Sequence, residues 1–124
     1  MKFYVCNNCG NIIRYDNQTA VPVMCCGEAM TQLVPGTTDA ATEKHVPVIE
    51  INGNLVTVKV GDVEHPMSEE HYIQWIVLET KKGSQKVNLT PFDKPEATFA
   101  LTDGDEVVAA YEYCNLHRLW KAEV

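Results

Sequence analysis

Val46-Pro47-Val48-Ile49-Glu50-Ile51-Asn52-Gly53-Asn54-Leu55-Val56-Thr57-Val58-Lys59-Val60 holds two β-branched runs around an Asn-Gly dipeptide. Asn-Gly supplies the positive φ angles of a tight turn, so Val46–Ile51 and Leu55–Val60 are expected as the arms of a hairpin. The same pattern continues downstream. Tyr72–Thr80 places Ile73, Trp75 and Val77 in alternation on one face, and Lys81-Lys82-Gly83-Ser84 turns the chain into Gln85–Leu89. Ala97–Leu101 and Glu106–Tyr113 then flank the turn signal Asp103-Gly104. No stretch shows a convincing helical period.

Upstream the chain reads differently. Residues 1–37 contain short β-like runs, Lys2–Val5 and Ile12–Tyr15, with four cysteines and few large apolar residues. A unit of about 37 residues cannot bury enough surface to fold alone and needs a metal or a partner. Pro35-Gly36-Thr37-Thr38-Asp39 is a turn-rich connector, which sets the expected domains at 1–37 and 38–124. For the second, short strands with regular turn signals predict an antiparallel, immunoglobulin-like β-sandwich.

The 124 residues are 45% hydrophobic and 22% charged, the balance of a globular chain. No apolar run approaches the roughly 20 residues of a membrane-spanning helix, and Met1–Cys6 lacks the apolar core of a secretory signal. A cytoplasmic, reducing location is the resulting expectation, in which closely spaced cysteines are metal ligands more often than disulfides. A net charge of −7 disfavours non-specific nucleic-acid binding and means that an anionic substrate must be attracted locally.

The four histidines and five cysteines fall into two sets with none left over. Cys6 and Cys9 form a Cys-x-x-Cys, followed by the adjacent pair Cys25-Cys26. Four thiolates suit zinc or a single iron equally, and two ligands on neighbouring residues should distort the tetrahedron. A zinc staple for a small domain and a reactive or disulfide-bonded set are the alternatives. The second set is His45, His65, His71, Cys114 and His117. His45 is expected just before a strand, His65 in the Gly61–Ser68 loop, His71 at a strand start, and Cys114 and His117 beyond the last strand. Five ligands do not suit closed zinc. Four imidazoles with one thiolate point to a square of nitrogens, an axial sulfur and one open position, an arrangement natural to iron. Taken singly, each residue also has a plain structural reading: His65 as a loop residue, Cys114 as a small buried hydrophobe, Glu43-Lys44 as a solvated charge pair.

Cys6-Asn7-Asn8-Cys9-Gly10-Asn11, Met24-Cys25-Cys26-Gly27, Glu43-Lys44-His45-Val46-Pro47, His65-Pro66-Met67, His71-Tyr72-Ile73 and Tyr113-Cys114-Asn115-Leu116-His117 with Leu119-Trp120-Lys121 together resemble the desulfoferrodoxin (two-iron superoxide reductase) family. Arg118 departs from the pattern, since many relatives have glycine there. The resemblance implies a desulforedoxin-like iron domain over 1–37 and a superoxide reductase (neelaredoxin-like) β-sandwich over 38–124. It implies iron in Cys6, Cys9, Cys25 and Cys26, and a catalytic iron with His45, His65, His71 and His117 equatorial and Cys114 axial. His117 would bind through Nδ1 and the other three through Nε2. The implied reaction is one-electron reduction of superoxide to hydrogen peroxide, with rubredoxin or a similar protein as donor and a homodimer as the assembly. Lys44 is then the cation that draws superoxide in, and Glu43 the carboxylate that takes the sixth position in the ferric resting form. Against this enzyme stand two other classes, a non-catalytic one-electron carrier and a structural zinc module on a β-sandwich binding domain.

Overall fold

The computed structural model describes residues 1–124, in two compact units, Met1–Val34 and Pro35–Val124. The division falls earlier than the expected one after residue 37 because the connector belongs to the second unit: Gly36 N–H donates to Leu119 O at 3.0 Å.

The first unit is built from two-residue strands. Tyr4–Val5 (β1) pairs with Ile12–Ile13 (β2) and with Thr31–Gln32 (β5), while Met24–Cys25 (β3) pairs with Glu28–Ala29 (β4). Its buried apolar side chains are Phe3, Val5, Cys6, Met30 and Leu33. That is too little apolar surface to hold over thirty residues in place without further cross-linking.

The second unit opens with one helical turn, Thr42–His45 (α1), and continues as strands: Pro47–Asn52 (β6), Leu55–Val60 (β7), Ile73–Thr80 (β8), Ser84–Asn88 (β9), Glu96–Ala100 (β10), Val107–Cys114 (β11) and Arg118–Glu123 (β12). They form two antiparallel sheets, ordered β10-β7-β6 and β12-β11-β8-β9. Val56, Val58, Val60, Ala97 and Phe99 from the first join Ile73, Ile76, Leu78, Ala110 and Cys114 from the second in one buried cluster. Fully burying side chains of this size stabilises by about 1.5–3 kcal/mol each, so the cluster holds this unit together.

Several details differ from the sequence expectation. The hairpin turn is Gly53-Asn54 rather than Asn52-Gly53, since Asn52 pairs with Leu55 and only Gly53 has positive φ (61°). Burial of Val56, Val58 and Val60 fixes that register, because a one-residue slip would turn all three to the other face. Trp75 and Val77 are buried, but on the face away from the central cluster. Trp75 stacks on Tyr113 at 5.4 Å and Val77 pairs with Tyr111. Gln74 is a bulge, because Tyr113 faces Trp75 and Cys114 faces Ile73, and it returns Ile73 to the core side. Glu106–Tyr113 is also not the last strand. Cys114 closes β11 and β12 follows, paired along its length from Cys114↔Arg118 to Ala109↔Glu123. Leu119 and Trp120 are adjacent and both buried, so β12 lacks the alternation that marks a strand in sequence.

Candidate metal centres

Two groups of side chains could hold an ion: Cys6, Cys9, Cys25 and Cys26, and His45, His65, His71, Cys114 and His117. In each group the potential ligand atoms lie within 4.8 Å of one another. All five cysteines are free, which sets the disulfide reading aside.

The four-cysteine group is made by two turns. Gly10 N–H donates to Cys6 O and Cys6 N–H to Asn11 O, both at 2.9 Å, closing the loop around Cys6 and Cys9. Cys26 and Gly27 link β3 to β4 with φ of 54° and 76°. Consecutive residues of an extended strand point to opposite faces. The left-handed backbone at Cys26 instead brings its sulfur beside that of Cys25, and this is where the expected distortion is absorbed. Cys9 Sγ and Cys25 Sγ are 3.6 Å apart. An ion with bonds of about 2.3 Å to four tetrahedral sulfurs spaces them at about 3.8 Å, so the cage fits one. The protons agree. Backbone N–H groups of Cys9 and Asn8 lower the Cys6 thiol to about 6, whereas hydrogen bonds with Cys6 and Cys9 push Cys26 up to about 12. Sulfurs this close cannot all ionise without a cation between them.

The second group comes from the ends of several elements. His45 ends α1, His65 and His71 lie in the segment between β7 and β8, Cys114 ends β11, and His117 lies in the turn to β12. The ring centroids form a closed circuit: His45–His65 4.6 Å, His65–His71 4.6 Å, His71–His117 5.0 Å and His117–His45 4.8 Å. The diagonal His45–His71 is 6.4 Å, longer than the sides by nearly the ratio a square demands. Four corners of a tetrahedron would be equidistant.

Each ring is turned by a neighbour. His65 Nδ1 lies 2.7 Å from Pro66 O, which leaves Nε2 buried with no partner. His71 Nε2 is likewise buried and unpartnered. His45 Nδ1 faces Glu112 Oε1 at 3.6 Å, leaving Nε2 for the shared centre. His117 Nδ1 lies 3.9 Å from Cys114 Sγ. Buried polar atoms without partners are costly, and an ion at the middle satisfies those of His65 and His71 together. Burial, reinforced by the neighbouring rings, lowers His45 and His65 to about 4 each, and lowers His71 too. These three imidazoles are therefore neutral at pH 7, as ligands must be. Burial raises the Cys114 thiol, whose proton must leave when an ion binds.

Glu43 and Lys44 are exposed on α1, directly before His45. No carboxylate pairs with Lys44, and its charge helps depress His45, His65 and His71. Three further residues support the site. Gly61 has φ of +86°, and a Cβ there would fall 2.5 Å from Val63 O, 2.7 Å from Lys44 O and 2.8 Å from Glu43 O. Only glycine fits, and the segment around it is tied to α1 by Gly61 N–H to Val46 O and Val63 N–H to Glu43 O. Trp120 stacks on His45 at 4.9 Å and donates Nε1–H to His117 O at 2.9 Å. Glu112 is fully buried with neither oxygen hydrogen-bonded. It could have been found in the sequence as a charged residue in an inward position of the alternation Ala110, Glu112, Cys114.

A model of the desulfoferrodoxin family matches residues 37–123. A desulfoferrodoxin of Syntrophotalea carbinolica is 48% identical over 99% of this chain and 96% of its own length. One of Nitratidesulfovibrio vulgaris is 49% identical over 98% and 95%. The crystal structure of the superoxide reductase from Treponema pallidum matches with a TM-score of 0.82 and 44% identity, covering 98% of both chains. The two clusters are thus distinct iron-binding motifs, one of four cysteines and one of four histidines with a cysteine. No helix is long and apolar enough to cross a membrane. This chain belongs to the desulfoferrodoxin family.

Proposed function

We propose that this chain is a superoxide reductase, taking one electron and two protons to convert superoxide to hydrogen peroxide without releasing oxygen. The observation that carries the reading is the square of four imidazoles with one buried cysteine, its donor atoms within 4.8 Å. The likeness to the Treponema pallidum superoxide reductase supports it. Iron, when bound, supplies the one-electron couple and a coordination position beyond the five protein ligands. The rest is the work of side chains. Pro66 O fixes the tautomer of His65, Glu112 faces Nδ1 of His45 from the buried side, and Trp120 braces His45 and the His117 carbonyl. Lys44 is the local cation that draws an anion toward a chain of net charge −7. Glu43, beside it, would offer a further carboxylate ligand to the oxidised iron.

The finer readings belong with this function. The shared core of the two sheets supports an immunoglobulin-like sandwich, and the two-turn cysteine cage supports a desulforedoxin-like first domain. A rubredoxin-type protein is the proposed electron donor, the cytoplasm the location and a homodimer the assembly. Exposure of Cys9 and Cys26 at the first cluster favours its use as an electron relay.

Rapid mixing of the reduced, iron-loaded chain with superoxide tests the activity. One peroxide per superoxide, with no oxygen evolved, is the expected result. Oxygen evolution, or no reaction with two irons bound, would overturn the assignment. One zinc per chain as purified would point instead to the structural module.

A further inference from the structure

Asn115 stands between Cys114 and His117, and its side chain reaches the segment that carries a third ligand. We infer that Asn115 is a positioning residue: its carboxamide clamps the His71 segment to the Cys114–His117 turn and so keeps His71 in the ligand set. This rests on the five-residue cluster being the catalytic iron site.

The pairing of β8 with β11 ends at Cys114↔Ile73, past the bulge at Gln74. One more backbone bond follows, Asn115 N–H to Tyr72 O at 3.2 Å. There the backbone turns away and the side chain takes over. Asn115 Oδ1 accepts from Tyr72 N–H at 2.9 Å, and Nδ2 donates to Glu70 O at 2.9 Å. A carboxamide offers the same donor and acceptor as a peptide group. It extends the ladder by about one peptide, joining residues 43 and 45 positions apart in the chain.

His71 lies between the two residues held this way. Its own peptide is fixed from the other side by Ser68, through Ser68 N–H to His71 O at 3.0 Å and His71 N–H to Ser68 O at 3.2 Å. The need for a clamp follows from burial. His45 and His65 are each 2% exposed, whereas His71 is only half-buried. Packing alone therefore holds His71 less firmly than the other two. The carboxamide is also chemically specific. Aspartate keeps the acceptor for Tyr72 but loses the donor and sets a carboxylate against Glu70 O, and alanine loses both.

The test is a chelator challenge of the iron-loaded chain against Asn115→Ala and Asn115→Asp, following the absorption of each iron separately. The four-cysteine site in the same molecule is the internal reference. Asn115→Ala should surrender iron from the five-ligand site about 10–100-fold more readily, with the four-cysteine site unchanged and Asn115→Asp in between. Amide exchange gives a second readout. The Tyr72 N–H should lose protection in Asn115→Ala and keep it in Asn115→Asp. Iron held by Asn115→Ala as firmly as by the parent overturns the clamp. So does iron loss accompanied by fast exchange throughout β8 and β11, which marks a folding defect. If the parent binds no iron at the five-ligand site, the functional reading fails. Tyr72 exchange in the metal-free chains then decides the clamp, and equal protection in all three sinks it.

Discussion

The two clusters sit in one chain but are made in opposite ways. The four cysteines lie on or beside the turns that link two-residue strands, with only Cys6 buried. The four histidines and Cys114 lie on α1, on the loops and at the end of β11, in a unit built on a ten-residue apolar cluster, with His45, His65 and Cys114 buried. In the first unit the ion does what a core would do. In the second the core comes first and holds ligands in place for an ion. Loss of a ligand should therefore unfold the first unit and merely empty the second.

Cys9→Ser breaks that contrast most severely. Structural metal contributes on the order of 10 kcal/mol to folding such small units. Five buried side chains at about 1.5–3 kcal/mol each cannot by themselves offset the cost of ordering over thirty residues at about 1–2 kcal/mol each. The β1, β2 and β5 amides should lose exchange protection entirely while those of β8 and β11 keep theirs. Protected β1 amides in a variant without iron at the first site would show a core there that the burial pattern does not reveal. The same variant reports on the relay. Unchanged turnover in the folded second unit would make the first iron a staple.

Acid should separate the units next. His45 and His65 hold about 4 in the fold against about 6.5 when unfolded, and His71 shifts the same way. The unfolded chain then binds more protons, so the stability these groups contribute is present above about 6.5 and lost as pH falls toward 4. By linkage the loss is roughly 3 kcal/mol for each of the two strongly shifted rings. Glu112 opposes this trend. Burial raises its carboxyl pKa well above the usual range, so its contribution is present at low pH and lost as pH rises. Glu112→Gln removes the opposing group and should steepen the acid loss. Urea midpoints of the metal-free chain at pH 7.5 and 5 measure it. A second unit equally stable at both values would mean that the rings are not buried as neutral groups.

Lys44→Ala probes the catalytic cluster with its ligand set intact. At roughly 7 Å one charge is worth about 0.6 kcal/mol in water and about 2.4 at an effective dielectric of 20. Association with superoxide should slow by roughly threefold to fiftyfold. Salt should slow the parent more than the variant. A smaller loss with the salt dependence unaltered would remove Lys44 from the mechanism.

What could be read from the sequence follows the same division. Leu55–Val60 has the expected bounds, and every residue of both ligand sets was visible, because His and Cys are rare and each was accounted for. The strands whose burial alternates were legible too. Residues that act through backbone geometry or burial were not. Gly61 looked like any loop glycine until three carbonyl oxygens were placed where its side chain would be. Glu112 carries a charge that composition assigns to the surface, yet it faces His45 from inside β11. The α1 turn is too short to show a period, and β12 hides behind adjacent apolar residues.

Arg118 lies where both kinds of information meet and gives the smallest predicted effect. The sequence marks it as a departure from glycine, and the structure gives the reason that glycine suits the position: φ is 63°, in the left-handed region. For a residue with a Cβ that conformation costs about 1–2 kcal/mol, while glycine returns about 0.5–1 as lost backbone entropy. Arg118→Gly should therefore stabilise the second unit by at most about 1.5 kcal/mol, raising its melting temperature by roughly 6–12 °C or less. The guanidinium also acts on Tyr113, where its charge opposes the upward shift caused by burial. In the glycine variant the Tyr113 phenol should titrate higher still. A lower melting temperature would mean that the arginine side chain contributes more through its contacts than its backbone costs.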